Sequence, residues 1–364
     1  MEKQRNFRKT TLVSVASLLV ISILIKISSY FPFWIEKNYS QGIYPYISSF
    51  YRLTFGWMPF SFGDFFYAAT GLFLIVGLIR FVKIVASRRF KQINYRKIFK
   101  KTFFAVFSIY IYFNLSWGLN YNRPGIAYQL GLTQQDYNDS DLKLITGILL
   151  KKVNENRLLL GTGDTPAKPY KELFEEASTS YQQASVTFPF LKYNSKSIKK
   201  SMYGRMGNFL GFLGYYNPFT GEAQVNLTQP RFLIPFVSCH EMAHQLGYAS
   251  ESEANFVGYL AAVNSRDTLF HYSAYFDLFN YANRQLLTRD SVSAINNYRQ
   301  LDPLVKKDEE ELREYWQKSD NMIEPLIKIF YDHYLKANQQ AKGVRSYNEV
   351  IGWLISYHKK YGKI

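Results

Sequence analysis

Apolar residues are placed so unevenly along this 364-residue chain that it has to fold in two environments. Three long apolar runs fall within residues 1–118, which hold only 3 Asp+Glu, whereas residues 119–364 read as mixed globular sequence. The first run, residues 12–34, follows Lys3, Arg5, Arg8 and Lys9 and is interrupted only by Lys26. No small-x-small cleavage site follows it, so it reads as an uncleaved anchor rather than a signal peptide. Residues 39–63, rich in Tyr, Phe, Trp and Pro, read as a short connection at the aromatic interface of a bilayer. The second run covers residues 65–79 and extends to 85. The third, residues 102–117, is about the minimum length for a span and ends at Trp117 and Tyr121. Between these two lie Arg80, Lys83, Arg88, Arg89, Lys91, Arg96, Lys97, Lys100 and Lys101. Positive charge marks the cytoplasmic side of membrane proteins. The pattern predicts a cytoplasmic N-terminus, three crossings of the cell membrane and an extracytoplasmic domain over residues 119–364.

The net charge of +16 invites a nucleic-acid reading, but its distribution argues against one. Residues 1–118 carry 16 Lys+Arg, while residues 119–364 carry 28 against 25 Asp+Glu. A nucleic-acid domain would concentrate basic charge on its folded part. Here the excess flanks apolar runs, so lipid is the expected partner and nucleic acid is not. The single cysteine, Cys239, excludes an intrachain disulfide.

The C-terminal part reads as mainly helical with a small sheet, an α+β domain. Asp139 and Ser140 can cap a helix over residues 141–157, and Pro169 suits the first turn of a helix reaching 184. Residues 208–226, with closely spaced Gly and an Asn-Pro-x-x-Gly turn, predict a hairpin. From Pro230 the pattern is helical, with breaks expected near 265–267, 289–291, 302–303 and 343–346.

The sequence His240-Glu241-Met242-Ala243-His244 carries the chemistry. Two histidines four apart on a helix present both imidazoles to one ion, and the adjacent Glu241 can address a water there. With 5 His in the whole chain, composition alone supplies such a pentapeptide far less than once. The pattern predicts Zn²⁺ on His240 and His244, with Glu241 as general base. Catalytic zinc usually takes a third protein ligand and keeps one open position. Gly247 sits where a helix needs a left-handed residue to end. A metzincin-type site would want a third His at position 250, which here is Ser250. Glu251 and Glu253 remain. Ser250 and Glu253 stand in the relation of a capping box, which gives Glu253 a structural task. Glu251 shares a helix face with Gly258 and Ala262, small residues that permit close approach of a short carboxylate. Glu251 is therefore the expected third ligand and Glu253 the alternative, with Asn255 as a partner behind the metal shell.

The strings GYYNPFTGEAQVN, CHEMAHQLGYASESEANF and GYLAA, within residues 204–262, resemble a bacterial membrane-protein family, domain of unknown function 3810. The resemblance covers most of the chain, spans included, and implies a zincin-like metallopeptidase without an established substrate. The spacing Glu251-x-x-Ala254-Asn255 also resembles the Glu-x-x-Ala-Asp/Asn signature that supplies the third ligand in several gluzincin-type peptidases. It departs from them in placing this Glu only seven residues after His244, so the helix pairing can differ.

Other candidates are weaker. Tyr215, Tyr216 and Tyr248 are possible donors to a tetrahedral intermediate. Residues 222–227 alternate like a strand, either an edge along which an extended peptide lies or a core strand. Cys239 points off the metal face and reads as a buried structural thiol, and His271 reads as packed. The expected activity is zinc-dependent hydrolysis of a peptide or protein substrate. The alternatives are a non-catalytic zinc-containing binding module and an intramembrane protease. The stretch around the motif is too short and polar to cross lipid unaided.

Overall fold

The computed structural model describes residues 2–87, 94–132, 137–322, 324–338 and 349–364. The centre of the basic loop, including Arg88, Arg89 and Lys91, and the break expected near 343–346 lie outside these residues.

The chain is mostly helical. Helix α1 (Glu2–Ser28) is followed by a short turn and then by α2 (Pro32–Trp34), a π-helical stretch (Ile35–Ile43) and α3 (Tyr44–Gly56). The segment expected to be a connection at 39–63 is thus largely helical. Helices α4 (Phe62–Ala86) and α5 (Tyr95–Ser116) are long and apolar enough to cross a membrane. A third crossing is counted only if Leu12–Ser28 and Pro32–Gly56, bent by 101° from each other, form one span. Helix starts follow local chemistry. Ser61 caps α4 by accepting the Asp64 N–H at 3.0 Å, and Asn94 caps α5 by accepting that of Lys97 at 3.0 Å.

After a 3₁₀ turn (Gly118–Asn122) come α6 (Gly125–Leu130), α7 (Asp139–Leu159) and α8 (Tyr170–Thr187). The cap of α7 is Asn138, one residue earlier than expected, in a reciprocal capping box with Asp141. Strand β1 (Ile198–Lys200), α9 (Gly204–Leu210), β2 (Gly214–Asn217) and β3 (Glu222–Val225) follow. β2 and β3 are the expected hairpin, and the sheet order is β1-β3-β2, with β1 parallel and β2 antiparallel to β3. β3 is therefore the central strand, buried along its length. The edge-strand reading of 222–227 does not hold, because both edges of β3 are already paired.

Helices α10 (Ile234–Gln245) and α11 (Glu251–Ala262) pack on each other and against α8 and α12 (Thr268–Arg289), with α16 (Val350–Tyr361) on α11; α13 (Ser291–Arg299) packs on α12 and α7, α14 (Pro303–Gln317) on α7 and α15 (Glu324–Ala337) on α9. All twelve residues of α11 are buried. A helix covered on every side needs small residues where neighbours approach. A Cβ on Gly258 would lie 3.0 Å from the backbone nitrogen of His240, so only glycine allows α11 this close to α10. A buried ion pair, Arg157 to Asp308 at 2.6 Å, ties α7 to α14, and the Tyr272 hydroxyl donates to the same carboxylate at 2.5 Å.

Candidate metal centre

The two histidines lie one turn apart on α10, and Gly247, at φ +88°, turns the chain back so that α11 begins at Glu251. Glu251 Oε2 consequently lies 3.2 Å from His240 Nε2 and 3.5 Å from His244 Nε2. Among the described residues, His240, His244 and Glu251 form the one group of this kind able to hold a metal ion, with ligand atoms within 4.8 Å of one another. Those two separations suit the edges of a tetrahedron with bonds of about 2.0–2.1 Å, whose edges are roughly 3.3 Å.

The outward ring nitrogens fix the orientation. His244 Nδ1 is 2.7 Å from the carbonyl oxygen of Tyr248, which can only accept, so Nδ1 carries the proton and Nε2 keeps a lone pair for the cluster. His240 Nδ1 is 2.7 Å from Asn255 Oδ1, an acceptor, so this nitrogen too carries a proton and Nε2 is the one that faces the cluster. Asn255 thus sits where expected, behind a histidine.

Glu241 stands beside the cluster without joining it. One carboxylate oxygen is packed against β2, where a Cβ on Gly214 would come within 2.7 Å of it. The other is buried with no hydrogen-bond partner. A buried, orphaned carboxylate oxygen is costly unless something arrives to satisfy it. Burial pushes the Glu241 carboxyl up to about 7, against the pull of His240 and His244. Burial disfavours charge on His240, but Glu251 and Glu241 outweigh it and raise that imidazole to about 9. The Glu251 carboxylate resists burial in the same way, and the two histidines hold it well below the usual range.

Other candidates fall elsewhere. Glu253 lies outside the cluster, and the capping box is absent: no side chain caps α11, and Ser250 Oγ pairs with Ser252 Oγ at 3.0 Å. The Glu253 carboxylate accepts the Ile126 N–H at 2.8 Å, in a site open only because Gly125 (φ +66°) has no side chain there. Tyr248 contributes its carbonyl rather than its phenol, which donates to Gln129 at 2.6 Å. Tyr215 is turned to Asp64 at the start of α4. Tyr216 does approach the site, with its ring 6.4 Å from that of His244, and burial holds its phenol protonated. Cys239 packs beside Ser180, off the metal face, and burial raises its thiol to about 12. His271 Nε2 lies 2.7 Å from the Ser265 carbonyl oxygen.

A family model described as protein of unknown function (DUF3810) matches residues 39–355. The chain belongs to that family. No curated protein and no solved structure matches it. The DUF3810 match contains the whole cluster, α3, α4 and α5.

That extent agrees with contacts that sequence reasoning missed. The turn after α10 supplies backbone N–H groups to the Met242, Ala243 and His244 carbonyls and leaves that of Gln245 to side chains. Ser48 Oγ donates to the Gln245 carbonyl at 2.6 Å, Tyr44 Oη to the same oxygen at 3.1 Å, and Trp117 Nε1 to that of His244 at 3.3 Å. The segments beside the membrane helices therefore cap the helix that carries both histidines. Gln245 adds a fixed joint: Tyr193 donates to its Oε1 at 2.7 Å, and its Nε2 donates to the carbonyls of Ser197 and Gly221 at 2.9 and 2.7 Å. No spacing rule could find these partners, because they lie between 24 and 201 positions away.

Proposed function

We propose that this DUF3810 protein is a membrane-anchored zinc metallopeptidase with a zincin-like domain on the extracytoplasmic side. Zn²⁺ would be held by His240, His244 and Glu251. The observation that carries the reading is the pairing of a three-ligand cluster with an orphaned carboxylate oxygen on Glu241, adjacent but outside it. Two imidazoles and one carboxylate are a donor set of catalytic zinc, which keeps a further position open.

When bound, zinc supplies Lewis acidity, bringing a water to near-neutral pKa and polarising a carbonyl. Glu241 would take the proton of the attacking water and return it to the leaving amine nitrogen. Glu241, adjacent to the cluster and with one buried oxygen unpartnered, is placed for both transfers. Tyr216 lies beside His244, and its hydroxyl pairs with that of Tyr44 at 3.4 Å, so it would have to leave that partner to donate to the carbonyl oxygen as charge develops there. Asn255 and the Tyr248 carbonyl would hold the imidazoles in their tautomers. The expected sidedness rests on the basic residues between α4 and α5, with a peptide or protein outside the cytoplasm as substrate.

The test uses the full chain in lipid vesicles with a mixed peptide library read by mass spectrometry. Glu241→Gln should keep its zinc and fold while lowering hydrolysis by about 10²- to 10⁴-fold, since an amide cannot take the water's proton. Full activity in Glu241→Gln would overturn the base assignment. Zinc-loaded wild type that cleaves nothing would favour the non-catalytic binding module.

A further inference from the structure

Helix α3 has two faces of opposite character. Tyr44, Ser48 and Arg52, four apart, are buried, and the first two hold the Gln245 carbonyl. The opposite stripe is Ile43, Tyr46, Phe50, Leu53 and Trp57, spaced alternately by three and four, and these are 56%, 79%, 63%, 67% and 74% exposed. No charged residue interrupts it. Five large apolar side chains in line on an exposed face form a patch that a water-facing domain rarely shows.

Three observations say what covers it. The chain leaves this segment into α4, a candidate membrane span, and enters it from α1, whose apolar Leu12–Ser28 stretch counts toward a crossing only together with Pro32–Gly56. The Leu12–Ser28 helix and the Pro32–Gly56 segment are bent by 101°, so if one stands along the bilayer normal the other lies close to the bilayer plane. Tyr51 also bonds Tyr112 near the end of α5 at 2.7 Å, which fixes α3 at the level where that apolar helix ends. Aromatic side chains favour this headgroup region.

We infer that α3 lies in the plane of the membrane interface as an amphipathic helix, its aromatic stripe in the boundary between headgroups and acyl chains. The partner is the lipid surface itself. Because Tyr44 and Ser48 on the buried face of α3 bind the C-terminal end of α10, the helix that carries both histidines is tied directly to this interfacial segment. Taken with the proposed hydrolysis, on which this step alone rests, the substrate class is a chain presented at the bilayer surface.

The experiment places single spin labels at Tyr46→Cys, Phe50→Cys and Leu53→Cys in the full chain, in phosphatidylcholine–phosphatidylglycerol vesicles. Cys239 is the only native cysteine and is fully buried, so it stays unlabelled while the fold is intact. Val186→Cys, at a position 85% exposed on α8, serves as the aqueous control. All three α3 labels should be reached by oxygen in preference to an aqueous nickel chelate, and all at the same depth. A helix running along the bilayer normal would instead shift depth by about 10 Å over the seven residues from 46 to 53, and that gradient would overturn the in-plane placement. Nickel accessibility equal to that at Val186→Cys would overturn lipid contact. Protection from both probes with dipolar broadening would overturn it too, in favour of a second copy of the chain.

Discussion

Two buried polar clusters meet at α11, one on Glu251 and the other on Glu253, and they differ in whether they are complete. In the second, Arg123 binds both oxygens of Glu36 at 2.7 Å and donates to the Gly247 carbonyl at 3.2 Å, with its guanidinium 4.8 Å over the Tyr248 ring. Glu36 also accepts the Gly125 N–H at 3.2 Å, and Glu253 accepts that of Ile126. One guanidinium faces two carboxylates there, burial raises the Glu253 carboxyl to about 7, and neither glutamate has a buried oxygen without a partner. In the first, two imidazole nitrogens converge on one carboxylate oxygen, and the neighbouring Glu241 oxygen has no partner. A buried network that satisfies itself holds structure together, while one left open at its centre marks a place for something else. Two glutamates separated by one serine thus have different tasks, set by what faces each of them.

The largest expected effect separates these two. Glu251→Ala should strip zinc from the full chain in metal analysis, while Glu253→Gln should keep it. Retention in the first and loss in the second would reverse the assignment. Next comes Arg123→Met, which leaves Glu36 and Glu253 buried without their cation. Breaking a buried pair from one side typically costs about 3–5 kcal/mol, so denaturant unfolding should show a loss of that order. Zinc binding to whatever remains folded should be unchanged. A loss of metal with little loss of stability would mean that the closed cluster serves the site rather than the scaffold.

How much of this contrast was legible in the sequence depends on range. The metal motif, the helix stop at Gly247, the small face of α11 and the place of Asn255 follow from spacing along one or two helices, and spacing is local. Glu253 misled because the capping box is a local rule, and the Ile126 N–H, 127 residues away, took the carboxylate instead. The alternation at 222–225 identified a strand but not its neighbours, since pairing with β1 and β2 is decided by the rest of the sheet. Residues 39–63 read as a connection because their aromatic content spoke for an interface. Their period of four in Tyr44, Ser48 and Arg52 is visible only once a partner for that face is known.

A smaller effect is expected from pH. In the metal-free protein the His240 imidazole is raised to about 9, so near neutrality it carries a proton that zinc must displace. Apparent zinc affinity, measured against a competing chelator, should therefore rise about tenfold per pH unit from 7 toward 9 and then level off. The sign is opposite for the metal-free fold. A folded value raised above the unfolded value of about 6.5 gives stability that is complete below that pH and is lost as pH rises through about 9. An affinity flat across this window would mean that His240 is already neutral in the metal-free protein.

The central claim is that the cluster on α10 and α11 is an open zinc centre with three protein ligands. X-ray absorption at the zinc edge on the purified full chain tests it most directly. The account predicts one zinc per chain, two imidazole nitrogens at about 2.0–2.1 Å, and oxygens at about 2.0–2.2 Å from Glu251 and an exchangeable water. It predicts the same spectrum for Glu241→Gln. Absence of stoichiometric zinc, a sulfur neighbour at about 2.3 Å, or a ligand shell altered by Glu241→Gln would contradict it.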